Sequence, residues 1–243
     1  MEMAPSPKNT PFREQLQPNQ QIKKEFGKFW EFENDKTKVV KQQPLKEFSG
    51  IFEGIKDPIE AVGKSKKLFG ELSDKYGVKI PAEYIVGKND KGVDVVFIVT
   101  DKIEGTDPTK KKVEGEEKER EILDLKNLFD SLLSYLKDKI KEDDYIMWDI
   151  VDNSQYIYGK NGSDENNKMY LIDNDLNYVG KAQERAINYI RSLTEFIKKS
   201  ERNLEIKFID QREVIADIMS NIEGQAKESD AFEIKKIKEF LAS

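Results

Sequence analysis

The sequence contains no cysteine and no histidine. Without cysteine there are no disulfides, thiolate zinc sites, iron–sulfur clusters or thiol nucleophiles. Without histidine there is no Ser-His-Asp triad, no imidazole base and no His-based zinc or iron site. Chemistry must therefore rest on Asp, Glu, Lys, Arg, Tyr, Ser, Thr, Asn, Gln or a hard cation such as Mg²⁺ held by oxygens. Long apolar runs are also missing. The strongest, Val93 to Val99, is broken by Asp94 and falls far short of the ~20 residues that span a bilayer. The start, Met1-Glu2-Met3-Ala4-Pro5-Ser6-Pro7, has no basic segment followed by an apolar run, so no signal peptide is predicted. A soluble, cytoplasmic protein with no membrane span is the expectation.

The chain has 243 residues, enough for one large domain or two small ones. Charged residues make up 36% and hydrophobic ones 37%, which allows a sizeable core under a heavily charged surface. The net charge of −6 argues against a duplex nucleic-acid partner, which calls for a basic face.

Residues 1–24 hold Pro5, Pro7, Pro11 and Pro18 among Gln, Asn and Lys, which predicts a flexible arm. From 25 to 105 the pattern is β-rich. Phe29–Glu33 and Thr37–Gln42 flank the turn signal Asn34-Asp35-Lys36 and predict a hairpin. Asp57-Pro58-Ile59-Glu60 is a helix start, with Asp57 as cap, Pro58 in the first turn and Glu60 as capping partner. Ile59, Val62, Phe69, Leu72 and Tyr76 form its apolar stripe, and Gly77 stops it. Glu83–Val86 and the β-branched Val93–Val99 predict two further strands, the second buried and central.

Composition shifts at Glu104-Gly105-Thr106-Asp107-Pro108, and 106–243 read as a helical second half. Ile122, Leu125, Phe129, Leu132, Leu136 and Ile140 form one helical stripe. Short apolar runs follow at Tyr145–Trp148, Gln155–Tyr158 and Met169–Ile172. Helices are predicted near Ala182–Lys199, after Asp210 with Glu213 as capping partner, and after Asp230 with Glu233 in that role. The Lys110–Lys112 run reads as solvated surface.

Several ionisable residues touch apolar elements. Lys41 ends the run Val39-Val40, and Glu60 and Glu71 lie on the first capped helix. Asp149 follows Tyr145–Trp148, and Asp173 ends Met169–Ile172 with Asp175 two positions on. A strand lysine held by a helix carboxylate is a fixed charge that can clamp phosphates. A strand-end carboxylate can hold Mg²⁺ and leave positions open for phosphate oxygens. A second carboxylate can orient or deprotonate a hydroxyl without any histidine.

In order, these residues resemble the protein-kinase-like superfamily, especially its compact aminoglycoside-phosphotransferase-like and small lipopolysaccharide-kinase-like bacterial members. The resemblance covers roughly residues 26–175. It implies an α+β, two-lobed fold: a β-rich small lobe at 25–105 and a helical large lobe at 106–243. It implies a nucleotide, Mg²⁺-ATP, between the lobes. Lys41 would hold phosphates, and Glu71 or Glu60 would hold Lys41. Thr100 would back the adenine pocket, and the Asp101 carbonyl and Ile103 amide would bond the adenine edge. Asp149 would be the base, Gln155 would stand near the metal-binding amide, and Asp173 would bind Mg²⁺.

The chain departs from the family pattern in several places. No G-x-G-x-x-G lies between the first strands, where Gly27 stands alone. Met147 replaces a supporting His, Gln155 replaces Asn in a loop one residue longer, and Asn174-Asp175 follows the metal aspartate. Asp152 is a second candidate base. The implied activity is phosphotransfer to a hydroxyl of an unknown acceptor. A catalytically inactive, partner-binding module of the same fold is the alternative. An unrelated α+β interaction protein predicts instead that Lys41 and Asp173 lie far apart, and side chains more than about 15 Å apart would rule out a shared phosphate–metal site.

Overall fold

The computed structural model describes residues 16–24, 27–32, 35–89, 91–110, 113–162, 164–173 and 175–243. The chain is a mixed α+β structure with small antiparallel sheets. β1 (Leu16–Lys24), β2 (Gly27–Phe32) and β3 (Lys38–Pro44) form a meander, which bears out the hairpin predicted from Phe29 to Gln42. Residues 16–24 of the predicted arm are therefore strand, while 1–15 and Asn34 lie outside the described residues. α1 (Pro58–Asp74), β4 (Ala82–Lys88) and β5 (Asp94–Asp101) follow. The sheet order is β1-β2-β3-β5-β4, with β5 buried between β3 and β4 as its β-branched sequence requires.

Register decides which way this sheet points its chemistry. Lys41 lies opposite Ile98, and Ile98 opposite Tyr84. Directly opposed residues share a face, so Lys41 and Gln43 stand on the face of Val96 and Ile98. That face joins the main core. The other face carries a separate cluster of Val40, Val95, Phe97 and Val99.

α1 starts at the predicted Asp57-Pro58, but Glu60 closes no capping box with Asp57. Asp57 accepts from the Ile59 N–H at 2.9 Å, and Pro58 occupies the first turn. Gly77, at φ +73°, turns the chain so that its N–H and that of Val78 bond back to the Ser73 and Leu72 carbonyls. Val62, Phe69 and Leu72 are buried, but Ile59 is 56% exposed. It sits in the first turn, beyond the reach of the sheet.

Then follow β6 (Ile103–Thr106), α2 (Gly115–Lys141), β7 (Tyr145–Met147), β8 (Tyr156–Asn161) and β9 (Lys168–Leu171). β10 (Val179–Lys181), α3 (Ala182–Leu204), α4 (Ile209–Ile222) and α5 (Ala231–Leu241) complete the chain. β6, β8 and β9 form a second sheet, and β7 pairs with β10. The expected boundary near Gly105 thus falls inside a strand. The chain changes sheets at Lys102, whose N–H bonds to the Thr37 carbonyl at 2.7 Å. Gly105 lies opposite Gly159, and a Cβ on Gly105 would come within 2.7 Å of the Gly159 Cα. Only glycine permits that approach.

α2 carries the predicted stripe and begins earlier than its apolar pattern, taking in Glu116 to Glu121. Its Phe129 packs edge-on against Phe196 of α3 and Phe208, both at 5.1 Å. One continuous core runs from Leu45 to Phe240. Two predicted caps are corrected. α4 begins at Ile209, so Asp210 is no cap; it binds the Lys126 ammonium at 2.6 Å. Glu233 pairs with Arg191 at 2.9 Å instead of closing a capping box with Asp230. Lys111 and Lys112 lie outside the described residues, whereas Lys110 pairs with Asp107 at 3.2 Å. Among the described residues no helix is long and apolar enough to cross a membrane.

Candidate functional site

The inward face of β3 and the end of β9 bring distant residues together. Beyond Leu171 the Ile172 N–H bonds to the Gln155 carbonyl at 2.8 Å, which leads the chain beneath the first sheet. There Lys41 Nζ lies 3.3 Å from Asp173 Oδ1 and 2.6 Å from Asp175 Oδ1. The wide separation of Lys41 and Asp173 expected of an unrelated interaction protein is not found: the two side chains are in contact. The Lys41 and Asp175 side chains are 22% and 18% exposed, and Asp173 is 45% exposed. Burial pushes Lys41 down, but Asp175 and Asp173 outweigh it and hold the ammonium above its ordinary value. Burial pushes the Asp175 carboxyl up, against the pull of Lys41.

Asp149 follows β7 and accepts from the Gln155 amide nitrogen at 3.0 Å. Burial raises its carboxyl, Gln155 opposes, and Asp173, Asp152 and Asp175 add to the rise. Asp152 serves the loop: its Oδ1 accepts from the Ser154 N–H at 2.8 Å and hydroxyl at 2.6 Å. Asn153 is gripped from two sides, by Lys199 at 2.6 Å and Thr109 at 3.2 Å. The loop carrying Asp149 is thereby fixed to α3 and to the segment after β6.

A cleft of about 690 Å³ opens beside the strand change, lined among others by Val39, Thr100, Asp101, Ile103 and Ile172. Ile172, one of its lining residues, directly precedes Asp173. Asp101 accepts from the Asn161 amide at 3.0 Å, so the β8–β9 hairpin closes one side. Thr100, Asp101 and Ile103 thus lie together, as do Lys41, Asp149, Gln155 and Asp173.

Glu71 is the exception. Its carboxylate lies 2.8 Å from Lys139 Nζ and makes no ion pair with Lys41. Glu71 occupies the last turn of α1, over α2, where the Lys139 side chain is 3% exposed and requires counter-charge. Glu60, the other candidate, is exposed in the first turn. Met147, at the position of a supporting His, is buried; its N–H bonds to the Tyr135 hydroxyl at 3.1 Å. Tyr135 thus anchors the loop entry, a role its sequence gives no sign of. Asp175 as the nearest partner of Lys41 also went unforeseen, although its two-residue spacing from Asp173 was a visible signal. The Tyr84 hydroxyl is buried with no hydrogen-bond partner among the described residues, and burial, Asp175 and Asp173 push its pKa well up.

The donors here are hard carboxylate oxygens, the class Mg²⁺ takes. Among the described residues no group of three or more acidic side chains forms a metal cage. One or two carboxylates completed by phosphate oxygens is the arrangement this donor set fits. Glu25, Phe26 and Asn174 lie outside the described residues. The chain matches no known family model, and no curated protein matches it.

Proposed function

We propose that this is a two-lobed, protein-kinase-like protein that binds Mg²⁺-ATP and transfers phosphate to a hydroxyl acceptor. The observation that carries the reading is the meeting of Lys41 with Asp173, which directly follows Ile172 of the Thr100–Ile103 cleft lining. The order hairpin, lysine strand, helix and two further strands also supports it, as does the Gln155–Asp149 hydrogen bond. The cleft lies between the first sheet and the β6-β8-β9 sheet, and its volume suits a ligand of nucleotide size.

Each side chain then has a task. Val39, Thr100 and Ile172 give the base an apolar slot, and the backbone of Asp101 and Ile103 meets its edge. Lys41 places a fixed positive charge against the phosphate oxygens. Asp173, the most exposed of the carboxylates near Lys41, would hold Mg²⁺, which when bound neutralises charge developing on the phosphates. Asp149 accepts the acceptor hydroxyl proton as the new P–O bond to the γ-phosphorus forms and the bond to the departing ADP breaks. Gln155 keeps the Asp149 oxygen aimed while Tyr135 and Asn153 fix the loop.

A second reading is nucleotide binding without transfer, favoured by one observation: Glu71 is committed to Lys139. Titration of a fluorescent ATP analogue, with and without Mg²⁺, tests binding. We expect Mg²⁺-dependent saturation in the wild type and at least about tenfold weaker binding in Lys41→Met. Release of ADP in the presence of hydroxyl acceptors then separates the transferase from the inactive module.

A further inference from the structure

The inference drawn here rests on the nucleotide-binding reading and concerns what holds Lys41 in place. The buried face of α1 carries Ala61, Val62, Ser65, Leu68, Phe69 and Leu72, none of them ionised. Its one well-placed carboxylate, Glu71, binds Lys139, which Asp144 also contacts at 2.9 Å. The chain just past α1 is fastened to α2 as well, through Lys75 and Tyr76 on Asp138 at 2.9 and 2.8 Å. α1 is thus tied to the helical half and offers Lys41 nothing.

The segment after β9 offers it two contacts. Asp175 is the nearest carboxylate, at 2.6 Å, and the better buried of the pair. The adjoining Leu176 N–H bonds to the Gln43 amide oxygen at 3.3 Å, and both residues are buried. Lys41 and Gln43 are neighbours on one face of β3, so one strand face grips one segment at consecutive positions. We infer that Asp175 is the positioning residue for Lys41, doing the work expected of a helix glutamate. Lys41 is then set by the same short segment that presents Asp173, and its position is independent of α1.

The test uses the full chain as wild type, Asp175→Asn, Asp175→Glu and Glu71→Gln, each first shown to melt cooperatively. NMR of the ¹⁵N-labelled Lys41 ammonium, recorded without nucleotide, reports directly whether the group is held. We expect a restrained signal in wild type and Glu71→Gln, and a mobile one in Asp175→Asn. Calorimetric titration with Mg²⁺-ATP should show about tenfold loss in Asp175→Asn, partial recovery in Asp175→Glu and no change in Glu71→Gln. A Lys41 restrained equally in Asp175→Asn, or released by Glu71→Gln, overturns the assignment. Should Asp175→Asn fail to fold, the Asp175→Glu and Glu71→Gln pair gives the same contrast. If the wild type binds no nucleotide, the proposed function falls, while the ammonium signal still decides the role of Asp175.

Discussion

Lys41 and Asp173 stand 132 positions apart in the sequence, and their side chains meet at 3.3 Å. Two independent local patterns produce the contact. Strand alternation turns Lys41 inward with Gln43, and the end of β9 releases the chain beneath that face. A charged residue at either place alone would be unremarked surface. Together they bring a cationic and an anionic group into direct contact.

Two carboxylates compete for the role of base, and their hydrogen bonds separate them. Asp152 is spent on Ser154, whereas Asp149 is bound by Gln155. Asp149→Asn should lower the phosphotransfer rate by about 10²–10⁴ while leaving Mg²⁺-ATP affinity close to wild type. Asp152→Asn should keep most of the rate and lose some loop stability. Steady-state kinetics on both variants checks this, and the reverse order would make Asp152 the base.

Gly105 and Gly159 press two strands together where the chain passes between sheets. A methyl group on Gly105 would collide with the Tyr158 carbonyl and the Gly159 Cα, both backbone atoms that cannot swing aside. Gly105→Ala should therefore lower the melting temperature and weaken nucleotide binding, because the strained β6 leads straight from Ile103. Gly224→Ala, with open space around it, is the matched control and should do neither.

The ion pair between Glu201 and Arg212 fastens α4 to α3. The guanidinium reaches the carboxylate at 3.0 and 2.6 Å, and the Phe208 N–H adds a bond at 2.9 Å. Burial alone would raise the Glu201 carboxyl; Arg212 and Phe208 outweigh it and hold it below its ordinary 4.5. A depressed folded-state value means stability that is present above the unfolded-state value and lost as pH falls through the folded one. Glu201→Gln should cost about 3–5 kcal/mol near neutral pH, since it leaves Arg212 buried and uncompensated. Its melting temperature should also fall less steeply than that of the wild type on acidification. Melts across an acid series check the slope, and parallel curves would contradict it.

Local chemistry made much of this fold legible in the sequence. The Asp57-Pro58 start, the Gly77 stop and the mostly β-branched Val93–Val99 strand each have one dominant physical cause, and the structure shows all three, with the strand running from Asp94 to Asp101. α2 was legible through its long apolar stripe from Ile122 to Ile140. What the sequence hid was set by packing over distance. Glu71 looked available because nothing near it in sequence reveals the buried Lys139 that claims it, 68 positions away. Asp210 had the form of a cap, but α4 starts one residue earlier and Lys126 of α2 takes its carboxylate. β10 is only three residues long, too short to leave a periodic trace, and exists through its pairing with β7. In the site, Lys41, Asp149 and Asp173 were visible as ionisable residues ending apolar runs. Tyr135, which supports them from inside the core, was indistinguishable from ordinary packing.

The most direct measurement is thermal unfolding of the full chain with and without Mg²⁺-ATP, in wild type and Asp173→Asn. At a nucleotide concentration ~100 times the dissociation constant, binding adds about 2.7 kcal/mol. For a chain of this size that is a rise of roughly 5–11 °C. A rise that needs Mg²⁺ and disappears in Asp173→Asn is the predicted result. A wild type that melts at the same temperature with and without nucleotide, at any Mg²⁺ concentration, would contradict the account.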